Sequence, residues 1–297
     1  MKRALCSGLL LVGCAPTFAD DSALVREARV LAVKSEPAEA APGATLTWTA
    51  LVATPSQSEA PPAPSWSLCN APKPPTENAV VSSACLSAAA LLPLGQGITI
   101  QGQIPFDSCS LFGPDTPPGG FRPPDPDITG GYYQPVRVDL LHAPPTFHEQ
   151  RVRCALGQAS ADIASQFGMA YVPNQNPHLF GLSARSHGED LGLDRIPAGA
   201  QLELEASWSA ADAETYAYFD RTTQAVLMQR EALSVAWYVD AGKLELESSG
   251  RADTDPALTA NNTFTAPSVP GTSTLWLVLR DSRGGVDFAR YLVTVLP

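Results

Sequence analysis

Long helical repeats are missing from this 297-residue chain, and its one conspicuous N-terminal apolar run, residues 4–12, is too short to span a bilayer. Charge is sparse, at 16% of residues, and basic side chains are the scarcer sign, with 19 Lys and Arg against 30 Asp and Glu. A formal net charge of -11 repels phosphate backbones and anionic lipids, so a nucleic-acid partner is not expected. Enzyme signatures are also lacking. The stretch His148-Glu149-Gln150-Arg151-Val152 begins like a zinc-protease helix, but Val152 stands where the second ligand is needed, in a strand-like run. In the stretch from Gly181 to Arg185, Arg185 replaces the second glycine of a nucleophile elbow. No phosphate-cradling glycine loop is present. The only four histidines, His142, His148, His178 and His187, are scattered and read as loop and strand-end residues.

What is present begins with an export signal. Lys2 and Arg3 precede the short apolar run, and Leu11-Val12-Gly13-Cys14 resembles a lipobox, in which cleavage leaves a lipidated cysteine at the mature N-terminus. The expected site of lipidation is therefore Cys14, because acyl chains gain about 0.8 kcal/mol per buried methylene and hold a soluble domain at a membrane. Ordinary secretion, with cleavage after Ala19, is the competing reading. Ala15 after the cysteine lacks the Asp of an inner-membrane retention signal, which leans the address toward the outer membrane.

Cysteine arithmetic then closes. Cys6 leaves with the signal and Cys14 takes the lipid, so Cys69, Cys85, Cys109 and Cys154 remain for two disulfides in an oxidising compartment. Of three pairings, the sequential one, Cys69 with Cys85 and Cys109 with Cys154, is favoured. A zinc site is the alternative, but no Cys-x-x-Cys pair and no neighbouring His support it.

The body of the chain reads as all-β. Apolar residues at 44%, 28 prolines and 22 glycines predict short strands with many turns. Around residues 29–53 apolar and polar residues alternate, placing Leu46, Trp48 and Ala50 on one face. A Gly-led strand followed by a Trp-centred strand occurs in both halves, which predicts two tandem immunoglobulin-like sandwiches with Trp66 and Trp237 between their sheets. The expected organisation is a signal peptide over 1–13, a lipidated tether over 14–28, a first domain over 29–170 and a second over 171–297. A loop-rich insertion interrupts the first domain around residues 106–131, and a short helix with Ala159, Ile163 and Phe167 on one face connects the two.

The stretch from Asp125 to Arg137 with its preceding Ser108-Cys109-Ser110-Leu111-Phe112-Gly113-Pro114, and the strands from Ala232 to Gly285, resemble lipoproteins of myxobacterial type with immunoglobulin-like domains. That resemblance covers most of the mature chain. It implies a surface-anchored β-sandwich protein, and it implies no catalytic residue.

Three features remain as candidate sites. Asp125 and Asp127 partly match a calcium loop, but Thr129 holds the third ligand position and Val136 the twelfth, so a complete EF-hand is excluded and a turn before a strand competes with cation binding. The Arg280–Gly285 segment reads as a hairpin turn built on Asp281 and two glycines. Exposed Tyr132 or Tyr216 would suit stacking on sugar rings, and residues 217–228 read as an added hairpin offering a partner surface. Two function classes follow: a noncatalytic envelope lipoprotein that binds a protein or polysaccharide or spaces other modules, and an envelope enzyme or assembly factor with a dispersed acidic site.

Overall fold

A computed structural model describes residues 22–55, 60–114, 128–157 and 159–297. Cys14, Asp125 and Asp127 lie outside the described residues. The protein is all-β, with two immunoglobulin-like sandwiches in tandem.

The first sandwich contains β1 (Arg29–Glu36), β2 (Glu39–Ala40), β3 (Thr45–Ala53), β4 (Ser65–Cys69), β5 (Leu91–Gln96), β6 (Thr99–Gln103), β7 (Gly131–Asp139) and β8 (Thr146–Arg153). They form a three-stranded sheet, β1-β3-β6, facing a five-stranded sheet, β2-β8-β7-β4-β5. Alternation in β3 aims Leu46, Trp48 and Ala50 inward, as the sequence predicts, and all three are buried with Trp66 and Leu68 of β4 and Val136 and Val138 of β7. The indole of Trp48 is not left polar and alone: its Nε1 donates to Gln150 Oε1 at 2.9 Å.

The second sandwich contains β9 (Gly181–Ser186), β10 (Glu189–Asp190), β11 (Ile196–Pro197), β12 (Gln201–Ser207), the hairpin β13 (Thr215–Asp220) and β14 (Ala225–Arg230), then β15 (Leu233–Val239), β16 (Lys243–Leu244), β17 (Ser248–Arg251), β18 (Thr259–Thr265), β19 (Gly271–Asp281) and β20 (Val286–Leu296). Its sheets run β10-β9-β12-β18-β16 and β11-β20-β19-β15-β17, with β13 and β14 as a separate two-stranded ribbon. Trp237 is fully buried between the sheets with Leu202, Leu204, Phe264 and Leu277.

Both disulfides are sequential. Cys69–Cys85 ties the end of β4 to a Pro-rich loop, and Cys109–Cys154 ties the one-turn helix α1 (Ser108–Leu111) to the chain leaving β8. Disulfides of this kind are the mark of an exported chain. No helix among the described residues is long and apolar enough to cross a membrane.

A third apolar cluster lies between the sandwiches. Leu31, Ala32 and Ala53 from the outer face of β1 and β3 pack on Trp276, Val278 and Val286 of β19 and β20. This explains why β19 is buried at every position from Ser273 to Leu279: its odd-numbered leucines enter the second core while Trp276 and Val278 enter the junction. A strand covered on both faces loses the alternation expected of a half-solvated one.

Two boundaries differ from expectation. Residues 22–25 belong to no free tether: Leu24 bridges Val239 in parallel, and Ala23 and Val25 are buried against the second sandwich and the junction. Two hydrogen bonds fix them, from Val25 N–H to Val239 O at 2.7 Å and from Val239 N–H to Ala23 O at 2.9 Å. The connecting helix α2 (Ala161–Ala170) packs on β13 and β14, although the sequence groups it with the first domain. Ser160 caps it by accepting from Ile163 N–H, so Ala159 lies outside the helix, and Phe167 is its one buried residue.

Candidate functional site

The linker after α2 is where the two sandwiches exchange polar contacts. Burying ion pairs costs desolvation that is repaid only where the remaining lone pairs find donors, and here the chain supplies those donors from β8, the linker and the turn after β19. Glu39, at the start of β2, accepts from Arg151 Nε at 2.9 Å, from Asn174 N–H at 3.1 Å and from the Tyr171 hydroxyl. Arg151 also reaches Thr129 Oγ1 at 2.8 Å and Tyr133 Oη at 3.1 Å. A Cβ at Gly131 would collide with its guanidinium, so the glycine that opens β7 is a space requirement. Burial and the neighbouring Glu39 carboxylate push the Tyr171 phenol well above its usual range, so it stays a donor.

Across the linker the pattern repeats in the second sandwich. The Asn174 amide donates to both Asp281 oxygens at 3.3 and 3.4 Å, and Asp281 also accepts from the N–H groups of Arg283 and Gly285, each at 2.8 Å. Arg283 then points inward, pairing with Glu231 at 2.6 Å and Glu214 at 2.9 Å, donating to Val172 O, and lying 4.5 Å from the centre of the Tyr216 ring. Desolvation, reinforced by Asp281, pushes the Glu231 carboxyl up to about 7 despite its guanidinium partner. The same burial raises Asp281, opposed by its backbone donors. Asn176 completes the staple, donating to Ser35 O at 2.7 Å and accepting from Val286 N–H at 2.9 Å.

Acidic residues from distant parts of the chain thus do converge, but they converge on arginines and backbone donors. The segment from Arg280 to Gly285 is the predicted turn, with Gly284 at φ +99°, and it also delivers two buried charges that a turn reading does not foresee. The signal available in the sequence was an Arg flanked by small residues between two apolar strands. That pattern does not distinguish an inward from an outward guanidinium.

The remaining predicted residues separate. Tyr132 and Tyr216 are both buried, at 3% and 7% exposure, so neither offers a face to a sugar; Tyr216 is covered by Arg283. The hairpin of β13 and β14 does form, with Tyr216, Ala217 and Phe219 buried and Leu227 and Met228 exposed. His148 lies within β8, the strand-like run read from the sequence, with Nε2 buried and unpartnered; burial and then Arg280 push its pKa down to about 4. His142 and His187 occupy left-handed positions, φ 66° and 51°, at turns. Among the described residues no group of three or more His, Cys, Asp or Glu side chains is placed to hold a metal ion.

Two open features stand out on the surface. A trough of about 310 Å³ on the outer face of β9, β12 and β18 is lined by Arg185, Glu203, Glu205, Glu245 and Asn261. A larger cleft, about 540 Å³, opens at the seam where β1 and β8 meet the second sandwich. Its walls are mainly apolar, from Leu31, Val33, Val80, Phe147 and Val286, with Arg280 and His148 among them.

No protein-family model matches the chain, and no curated protein matches it. Among solved structures it is similar to fibronectin(III)-like modules of Clostridium thermocellum CbhA, at 10% identity over 93% of this chain and 91% of that one, with a TM-score of 0.22. It is also similar to the Yersinia pseudotuberculosis adhesin InvE, at 12% identity and a TM-score of 0.23, over 88% of this chain and 58% of the adhesin. The Escherichia coli alpha-2-macroglobulin activated by porcine elastase is matched at 11% identity and a TM-score of 0.25, over 92% of this chain and 22% of that one. The fold rests on the protein's own strand order and registers: a pair of immunoglobulin-like sandwiches joined by a buried apolar and ionic seam.

Proposed function

We propose that this is a noncatalytic lipoprotein of the cell envelope, tethered through Cys14 at the outer membrane, whose joined sandwiches present a binding or spacing module to an envelope protein or polysaccharide. The observation that carries the reading is the docking of residues 22–25 onto the second sandwich. Ser22, the first described residue, follows Cys14 by eight positions, so a lipid there would hold the docked segment within about 28 Å of a bilayer surface, at no more than 3.3–3.6 Å per residue. The two disulfides support folding after export, and the ionic seam supports a fixed relative placement of the sandwiches.

Intact-mass measurement of the membrane-extracted protein tests the anchor. The expected species begins at a Cys14 carrying acyl chains, and Cys14→Ser should move the protein out of the membrane fraction. A mature chain beginning at Asp20 would overturn the reading.

A further inference from the structure

The cleft at the seam of β1 and β8 has the make-up of a ligand site. Its volume of about 540 Å³ falls within the range of about 300–1,000 Å³ typical of small-molecule pockets, and it sits where such pockets concentrate, between domains. The mouth is apolar at Val80, which is held in the loop closed by Cys69–Cys85 and is 73% exposed.

Arg280 supplies the polar end. One guanidinium N–H donates to Leu31 O at 3.1 Å, across the junction, and this fixes the side chain in the cleft wall. Its other N–H groups have no acceptor among the described residues, and Arg280 forms no ion pair there. The other charged group of the wall, Glu149, is solvent-exposed and forms no ion pair with Arg280 among the described residues, so water screens it. The His148 imidazole stays neutral above pH 5 and adds no charge. An unpaired cation facing an apolar cavity, in a chain of net charge -11, is an uncommon arrangement. Its complement is an anion attached to an apolar body.

We propose that this cleft binds a small amphipathic carboxylate, such as a medium-chain acyl anion, with the carboxylate on Arg280 and the chain along Leu31, Val33, Val80 and Phe147. The guanidinium fork fits a carboxylate by paired N–H donors, and the walls exclude water from the chain. Such a ligand would touch both sandwiches, Arg280 from the second and β1 and β8 from the first.

The test is titration calorimetry with decanoate below its micelle concentration, on the full chain carrying Cys14→Ser, which takes no lipid and so separates this inference from the anchoring one. The expected result is one saturable site, weakened at least tenfold by Arg280→Gln, which removes the guanidinium charge. Decanol should bind the unsubstituted protein and Arg280→Gln alike, and Val80→Asp at the lip should weaken both ligands. Absence of saturable decanoate binding at millimolar concentration would overturn the proposal, as would binding indifferent to both substitutions. Arg280-dependent binding to phosphatidylglycerol vesicles without decanoate binding would replace it with a membrane contact.

Discussion

Arg283 Nε donates to Glu231 Oε1 at 2.6 Å, with the two side chains 2% and 0% exposed, so this ion pair is removed from water almost entirely. A pair so placed contributes little net stability, because desolvation offsets attraction, but losing one partner strands the other. Arg283 is moreover shared with Glu214 and Val172 O, so its loss strands several groups together. Arg283→Met should destabilise the protein by about 3–5 kcal/mol, and Glu231→Gln, which keeps an acceptor for Arg283, by less. Urea unfolding monitored by tryptophan fluorescence measures both.

The same pair sets a pH dependence. Glu231 titrates at about 7 when folded and near 4.5 when unfolded, so the folded state holds the extra proton. Its contribution is fully present below pH 4.5 and is lost as pH rises through 7. His148 works oppositely, its folded pKa of about 4 lying below 6.5, so it costs stability as pH falls from 6.5 toward 4. Between pH 5 and 8, Glu231→Gln should gain in Tm relative to the unsubstituted protein as pH rises, and His148→Phe should gain as pH falls. A flat difference in either series would contradict the corresponding assignment.

The two disulfides should differ in worth. Loop-closure entropy gives about 3 kcal/mol for Cys69–Cys85, at a separation of 16 residues, and about 4 kcal/mol for Cys109–Cys154, at 45. Paired Ser substitutions compared by thermal unfolding should rank the second above the first. Nonreducing peptide mapping checks the connectivity directly.

Trp276 tests the seam. It is buried at 3% exposure, on the face of β19 that belongs to neither sandwich core. Trp276→Ala should cost about 3–5 kcal/mol and uncouple the sandwiches, turning one calorimetric transition into two. A single, merely lowered transition would mean that the ionic staple alone holds the pair together.

How far the sequence leads can be judged on particular residues. Period-two alternation identifies Leu46, Trp48 and Ala50 as a core face because one side of β3 dominates its burial. The same rule cannot assign Trp276 or Val278, since a strand buried on both faces carries no period, and the second layer comes from residues 31–53, more than two hundred positions away. Tyr216 and Arg283 show the other limit. A tyrosine in a ribbon and an arginine in a turn are ordinarily solvated, and only the closure of the hairpin over the linker brings them to 4.5 Å. Cysteine spacing, in contrast, is local in consequence, so the sequential pairing was legible before any packing was known.

The parallel bridge between Leu24 and Val239 finally decides how force enters the molecule. A pull arriving from the segment before Ser22 meets the second sandwich through two backbone hydrogen bonds to Val239. Val25 packs in the same cluster as Leu31, Ala32 and Ala53 of the first sandwich, and Arg29 at the start of β1 donates to Ser22 O, so a load entering there reaches the junction that joins both sandwiches.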